Sequence, residues 1–358
     1  MLSLGILVLH VSQELTYFRE IANRASDYNI TVYRFLPSQV DRTTARVING
    51  LRYDPNEDRW VTTTFPIPTY IYDRCFYRRI SCYKKHAPII RWLRDHYETT
   101  FLGYGLPNKW EVFKALNKNK VISNYLPETV KVEHVSDIIK HVKHYKEVLV
   151  KPTSGSQGQG IFVVTEKPTH YEVKIEKNQL LVVHCFINEV KLAESISLLL
   201  HSQRYILQPF LSLKNQQNHP FDLRVFLQKD KNGFWCEQGR AVRTGKKAHF
   251  LSNLHAGGQI YPYQQWLQHL SEEKQQQLES NIHQLLEHLP SSLESSFHPL
   301  FELGIDIGID QSESVWLLEV NSKPGRTILL EDDSFNKDQL YEAPLAFCQH
   351  LSSLIKRS

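Results

Sequence analysis

Long apolar runs are missing from this 358-residue chain: no stretch approaches the roughly twenty residues that a membrane-spanning helix needs. The opening Met1-Leu-Ser-Leu-Gly-Ile-Leu-Val-Leu-His-Val11 is apolar but short. It lacks a basic leader and a small-residue cleavage site, so it reads as a buried first strand rather than a signal peptide. Cysteine is sparse, and Cys75, Cys82, Cys185, Cys236 and Cys348 are odd in number, scattered, and without a C-x-x-C pair. That argues against a disulfide framework or a structural zinc site and for a reducing, cytoplasmic compartment. A strong charge of one sign is missing too. A formal charge of +4, with Lys and Arg dispersed, gives no electrostatic footprint for nucleic acid. The densest basic run, Arg74 to Lys85, is interleaved with Phe76, Tyr77 and Tyr83. Such a mixture can meet RNA or an acidic surface, and reads better as a solvated helix face with snorkelling stems. Repeats and low-complexity tracts are absent.

What is present suits two or three subdomains of ordinary composition, 41% hydrophobic and 22% charged. A strand at 4–11, a helix at 14–29, a strand at 29–35 and a short strand at 66–73 predict an α/β layer over residues 1–107. A second unit, 108–204, starts with a helix carrying Trp110, Phe113 and Leu116, then alternates strands and a short helix around a Gly-rich loop. A third, 205–358, has strands at 205–213, 221–228 and 234–243, a long polar helix at 263–289, two carboxylate-bearing strands and a helix at 344–355.

The chemistry concentrates in that third unit. In Leu317-Leu-Glu-Val-Asn-Ser-Lys-Pro-Gly325, Glu319 and Asn321 fall two apart on a strand and therefore share a face. An acid and an amide at the end of an apolar strand cost desolvation energy unless something binds them. A hard cation such as Mg2+, which takes oxygen ligands alongside substrate phosphates, is the natural partner, with Asp306 as a further ligand from a neighbouring strand. Lys151-Pro-Thr-Ser-Gly-Ser-Gln-Gly-Gln-Gly160 is neither a Walker A loop nor a dinucleotide fingerprint, because Ile161-Phe162 follow Gly160 and a strand comes next. Its Ser154, Gly155, Ser156, Gln157, Gly158 and Gly160 suit a hairpin tip folding over phosphates, with Lys151 beside them. Alone, the loop is equally well a plain turn. Pro209 breaks the strand carrying Gln208, leaving backbone able to bond a planar heterocycle. Asp222 and Arg224 share a strand face, as an internal ion pair or as phosphate-orienting groups. Arg243 is a candidate to balance charge on a transferred phosphoryl group. In Phe250-Leu-Ser-Asn-Leu-His-Ala-Gly-Gly258, Asn253 suggests function, and His255 reads as structural.

Taken in order, Lys109, the 151–160 loop, Gln208, Asp222, Arg224, Arg243, Asn253, Asp306 and Glu319-x-Asn321 resemble the ATP-grasp superfamily. The Phe250–Gly258 and Leu317–Gly325 blocks look like those of RimK-type glutamate ligases. The blocks at 150–161, 221–225 and 301–306 look like the YheC/YheD group of bacilli, which is described as endospore coat-associated. The resemblance covers about residues 108–330 and implies an α+β fold: an N-terminal α/β domain, then two α+β subdomains clamping ATP. It implies that Lys109 and Lys151 hold phosphates and that backbone from Gln208 through Pro209 and Phe210 to Leu211 holds adenine. It further implies that Asp306, Glu319 and Asn321 ligate Mg2+, with Arg243 and Asn253 facing the reacting phosphate. Segment 166–204 carries no recognisable block.

The implied activity is ADP-forming ligation of a small-molecule or peptide carboxylate to an amine through an acylphosphate. Two other readings use the same ATP site: a spore-coat assembly protein that binds ATP without turning it over, and a small-molecule kinase.

Overall fold

The computed structural model describes residues 2–77, 80–155, 158–177, 180–201, 203–247, 249–252, 258–331 and 335–355. The chain opens with β1 (Leu2–Leu7), α1 (Leu15–Arg24) and β2 (Ile30–Phe35), then β3 (Val40–Asp41), β4 (Arg46–Asp54), β5 (Arg59–Pro66), β6 (Tyr70–Asp73), α2 (Ile80–Asp95) and β7 (Thr100–Phe101). Parallel β2, β1, β6 and β7 form the expected α/β layer, and the antiparallel strands β3, β4 and β5 extend it beyond β2. The sequence reading assigned no element to 36–65. Asn49-Gly50 is a bulge inside β4, with Asn49 at φ 53° and pairing resumed at Gly50.

The second sheet is antiparallel, in the order β12-β11-β10-β9-β13-β8. Its elements are β8 (Val130–Val132), α4 (Val135–Tyr145), β9 (Glu147–Pro152), β10 (Phe162–Glu166), β11 (Tyr171–Lys177), β12 (Leu180–Phe186), α5 (Glu189–Leu200) and β13 (Tyr205–Pro209); α3 (Lys109–Leu116), expected in this unit, instead buries Val112 and Leu116 in the core of the third sheet. Asn108 starts α3 by accepting the Trp110 and Glu111 N–H groups on its side chain. Ile138 and Val142 of α4, with Leu192 and Ile196 of α5, form a core against Val148, Val150 and Phe162 of the sheet.

The third sheet, order β16-β15-β14-β17-β18, is built from β14 (Phe221–Lys229), β15 (Trp235–Thr244), β16 (Gln259–Pro262), β17 (Glu302–Ile309) and β18 (Val315–Asn321). Its helices are α6 (Tyr263–Leu267), α7 (Glu272–Ser296), α8 (Thr327–Leu330) and α9 (Lys337–Ile355). The single helix expected over 263–289 is thus two, because Ser271 with Glu272 and Glu273 makes a fresh N-terminus. Leu278, Ile282, Leu285, Leu289 and Leu293 of α7 bury one stripe under the sheet. Among the described residues no helix is long and apolar enough to cross a membrane.

The first core is not confined to the first hundred residues. Leu4, Phe18 and Tyr70 share it with Phe226, Phe301, Ile328, Leu345 and Phe347. The aromatic-basic run also needs correcting at its start. α2 begins only at Ile80, and Arg74 before it is fully buried rather than on a solvated face. Arg74 pairs with Glu302 and with Glu14 at 2.8 Å, and donates to the Pro324 carbonyl at 2.9 Å. Arg326 mirrors it, 2.8 Å from Glu14 and 2.5 Å from Glu302. Two guanidiniums and two carboxylates therefore neutralise one another where the first and third sheets meet. Burial alone would raise the Glu14 pKa, but Arg74 and Arg326 outweigh it and hold it down at about 2. Arg78 and Arg79 lie outside the described residues.

Candidate functional site

One face of the third sheet carries the charged row. Register places Arg224 of β14 opposite Asp306 of β17, and Asp306 opposite Glu319 of β18. Directly opposed residues on an antiparallel sheet present side chains on the same face. One step along, Asp222 of β14 lies opposite Arg243 of β15. The ion pairs cross strands rather than running along one. Arg243 grips Asp222 through two bonds of 2.7 Å, and its Nη2 reaches Asp306 Oδ1 at 2.9 Å. Arg224 Nε reaches the same oxygen at 2.9 Å. Burial alone would lower the Arg243 pKa, but Asp222 and Asp306 outweigh it and raise it, so this guanidinium is permanently charged.

β18 contains a bulge, since Asp306 faces Glu319 while Ile307 faces Leu317. The extra residue, Leu318, leaves a free carbonyl, and Lys151 Nζ of β9 donates to it at 3.1 Å. Lys109 Nζ, from α3, stands 3.2 Å from Glu319 Oε1 and donates to the Gly155 carbonyl at 2.7 Å. Lys151 thus crosses from the second sheet to the carboxylate strand of the third, and Lys109 links that strand to the Gly155 carbonyl. Lys151 is 6% exposed. Burial, partly offset by Glu319, brings its pKa down to about 8.

These groups border a cavity of about 1570 Å3, with Asp222, Arg224, Arg243, Asp306, Glu319, Asn321, Lys151 and Gly158 in its wall. An adjoining cavity of about 970 Å3 shares Lys151, Gly155, Gln208, Glu319 and Asn321, and adds Lys109, Ser154 and Gly160. Gly160 has φ 77°, and a Cβ there would meet Pro152 Cγ at 2.9 Å, so only glycine closes this turn without strain. Pro209, Phe210 and Leu211 line the larger cavity where the chain passes from the second sheet to the third. The Gln208 amide is already engaged: Nε2 donates to Thr129 Oγ1 at 2.7 Å, so that N–H is not free for a heterocycle. Ser156, Gln157, Asn253 and His255 lie outside the described residues.

The donor set suits a hard divalent cation. Asp306 and Glu319 are paired across the ladder, and Asn321 follows on the same strand and in the same cavity wall. Asp306 Oδ1 is buried and lies 2.9 Å from both guanidiniums, which balance the carboxylate. A separate cluster, His170, Glu172 and Cys185, brings its ligand atoms within 4.8 Å of one another. Lys167 and Lys174 lie 3.9 and 3.8 Å from that carboxylate and offset its charge.

Sequence reasoning missed three contributors. The Leu318 carbonyl depends on a bulge that no residue type announces. Thr129 gave no signal. Ser252, whose hydroxyl donates to Asp222 Oδ2 at 2.6 Å, lay within the Phe250–Gly258 block and was passed over for Asn253.

Comparison with known proteins follows the same lines. The family described as YheC/D like ATP-grasp matches residues 98–351. The endospore coat-associated protein YheC of Bacillus subtilis (strain 168) is 34% identical over 353 residues, covering 99% of this chain and 97% of that protein. Among solved structures, the ADP complex of N5-carboxyaminoimidazole ribonucleotide synthetase matches with a TM-score of 0.55 at 12% identity, over 98% of this chain and 78% of that one. VanG D-Ala:D-Ser ligase from Enterococcus faecalis matches with a TM-score of 0.54 at 10% identity, over 97% and 99%. At such identities the two structures establish a shared fold and nothing about the reaction.

Proposed function

Since the chain belongs to the YheC/D-like ATP-grasp family, we propose that it is an ADP-forming ligase joining a carboxylate to an amine through an acylphosphate. The observation that carries this reading is the convergence of Lys109 and Lys151 on the Asp306–Glu319 strand pair within one cleft. Lys109 and Lys151 would release Glu319 and the Leu318 carbonyl and turn to the phosphates. The Gly155–Gly160 turn would close over them and keep water from the acylphosphate. Asp306, Glu319 and Asn321 would hold Mg2+, which when bound neutralises phosphate charge and polarises the γ-phosphoryl group. Arg243, braced by Asp222, would face the negative charge that gathers on the moving phosphoryl group. A substrate carboxylate oxygen attacks the γ-phosphorus, the bond to the β-phosphate oxygen breaks, and ADP leaves. The amine then attacks the acyl carbon, loses a proton, and phosphate departs. No acyl nucleophile from the protein is required.

The test is ADP and phosphate release with Mg–ATP across amino acids and short peptides, with products weighed by mass. A product equal to acid plus amine less one water is expected. AMP with pyrophosphate, or a phosphorylated small molecule as end product, would exclude the ligase. By its likeness to YheC the protein is proposed to act at the endospore coat. Normal coat assembly by a catalytically dead variant would favour an assembly role over ligation.

Lys151 supplies a pH dependence. Its pKa of about 8 in the free protein rises when phosphate sits beside it, so nucleotide binding takes up a proton. Affinity for Mg–AMPPNP should therefore fall as pH climbs from about 8, by up to about tenfold per unit. Lys151→Arg, which keeps its charge, should flatten the profile. Calorimetry at pH 7 and 9 reads the difference, and parallel profiles would rule out Lys151 as the titrating group.

A further inference from the structure

Outside the phosphate site, a buried acid joins the two sheets that enclose the cleft. Glu176 lies on β11, and its side chain is only 3% exposed. Oε1 accepts the backbone N–H of Phe250 at 2.6 Å and of Leu251 at 2.9 Å. Oε2 sits 3.2 Å from His249 Nδ1. These partners belong to the third unit, on the segment that leaves β15 directly after Arg243 and Thr244. The segment is fixed to its own sheet at both ends. At the start, Gly245 N donates to the Pro220 carbonyl at 2.8 Å, and the Leu251 carbonyl folds so close that a Cβ on Gly245 would meet it at 2.0 Å. At the far end, Ser252 Oγ donates to Asp222 Oδ2, the oxygen that also receives Arg243 Nη2.

We propose that Glu176 is a positioning residue that clasps the second sheet to the 249–252 segment and, through Ser252 and Asp222, fixes Arg243 against the reacting phosphate. Lys151 also bridges the two sheets, and Lys109 ties Glu319 to the Gly155 carbonyl, but the ligase reading has both exchange their partners for phosphate. The Glu176 clasp uses no group that nucleotide would claim, so it can form with nucleotide in place. A carboxylate this buried is costly unless it is paired; both charge-assisted backbone bonds fall on Oε1, and Oε2 has the His249 ring 3.2 Å away. The joint is therefore stable only while the cleft is shut. Opening it exposes Glu176 to water and leaves the segment held only by its own sheet, through Gly245 and Ser252.

The assignment of Arg243 to the reacting phosphate rests on the ligase reading; the clasp itself does not, and the experiment separates them. Amide hydrogen exchange with Mg–AMPPNP should show Phe250 and Leu251 exchanging at least about tenfold faster in Glu176→Ala than in the wild type. Glu176→Gln keeps an acceptor oxygen and should retain most of the protection. If the alanine variant fails to fold, Glu176→Asp, shortened by one methylene, should give the same loss in milder form. In the ligation assay, kcat should fall about 10–100-fold in Glu176→Ala while nucleotide affinity changes less than about threefold, since small displacements of reacting groups are costly. Glu176→Gln should recover most of that kcat. Unchanged exchange at Phe250 and Leu251 would overturn the clasp whether or not any ligation is detected. Faster exchange with unchanged kcat would overturn the positioning role and leave the ligase intact.

Discussion

Replacing Glu319 and Asn321 together by alanine is expected to reduce Mg-dependent ADP release by at least about a thousandfold, because groups that stabilise transition-state charge in a dry cleft are each worth about 10²–10³. The bulge at Leu318 aims this strand end so that Glu319 opposes Asp306. The substitution also frees Lys109, which stands 3.2 Å from Glu319. Nucleotide without metal should consequently bind the variant nearly as well as the wild type, and the loss should appear as vanished magnesium linkage together with vanished turnover. Calorimetry with AMPPNP, with and without Mg2+, alongside the ADP assay, measures both. Substantial turnover in the double variant would end the metal-site assignment, whereas loss of metal-free nucleotide binding would mean the strand itself had been disrupted.

The second large effect concerns stability. Glu302 is 2% exposed and pairs with both Arg74 and Arg326. Removing one partner of a buried ion pair costs about 3–5 kcal/mol, because the other charge is stranded. Glu302→Ala strands two guanidiniums on Glu14 alone, so a loss at the top of that range is expected, with Tm falling on the order of 10 °C. Lys191→Ala, which removes an exposed partner of Glu194, serves as the control and should change stability by less than about 1 kcal/mol. Thermal melts at neutral pH compare them, and equal melting points would show that the buried network contributes nothing. The Glu14 share of this network is complete above pH about 4.5 and is lost as pH falls towards its folded value of about 2.

What was legible in the sequence follows from the range over which each signal acts. The βα opening, the capped α3 and the carboxylate strands have short-range periodicities that side-chain alternation dictates. Shared faces on a strand are equally local, which is why Glu319 with Asn321, and Asp222 with Arg224, were found as pairs. Asp306 was placed beside the first pair, but the partners of the second were not found. Asp222 turns to Arg243 and Arg224 to Asp306, because register between strands far apart in sequence decides who faces whom. Arg74 was misread for the same reason. Its aromatic and basic neighbours suggested a wet helix face, while the acid that buries it, Glu302, lies 228 residues away. β3, β4 and β5 were not read at all, and within β4 Asn49-Gly50 forms a bulge. Residues 166–204 hold β11, β12 and α5, ordinary elements without a motif to mark them.

The sharing of one interior by Leu4, Phe18, Phe301 and Leu345 has an evolutionary consequence. The first hundred residues are not a detachable cassette. Lifted onto another ATP-grasp chain, they would arrive without α9, the helix that covers α1, and without the Arg326 and Glu302 that neutralise Arg74 and Glu14. Variation among such chains is therefore expected to come by changes of single wall residues, not by wholesale exchange of the first hundred residues.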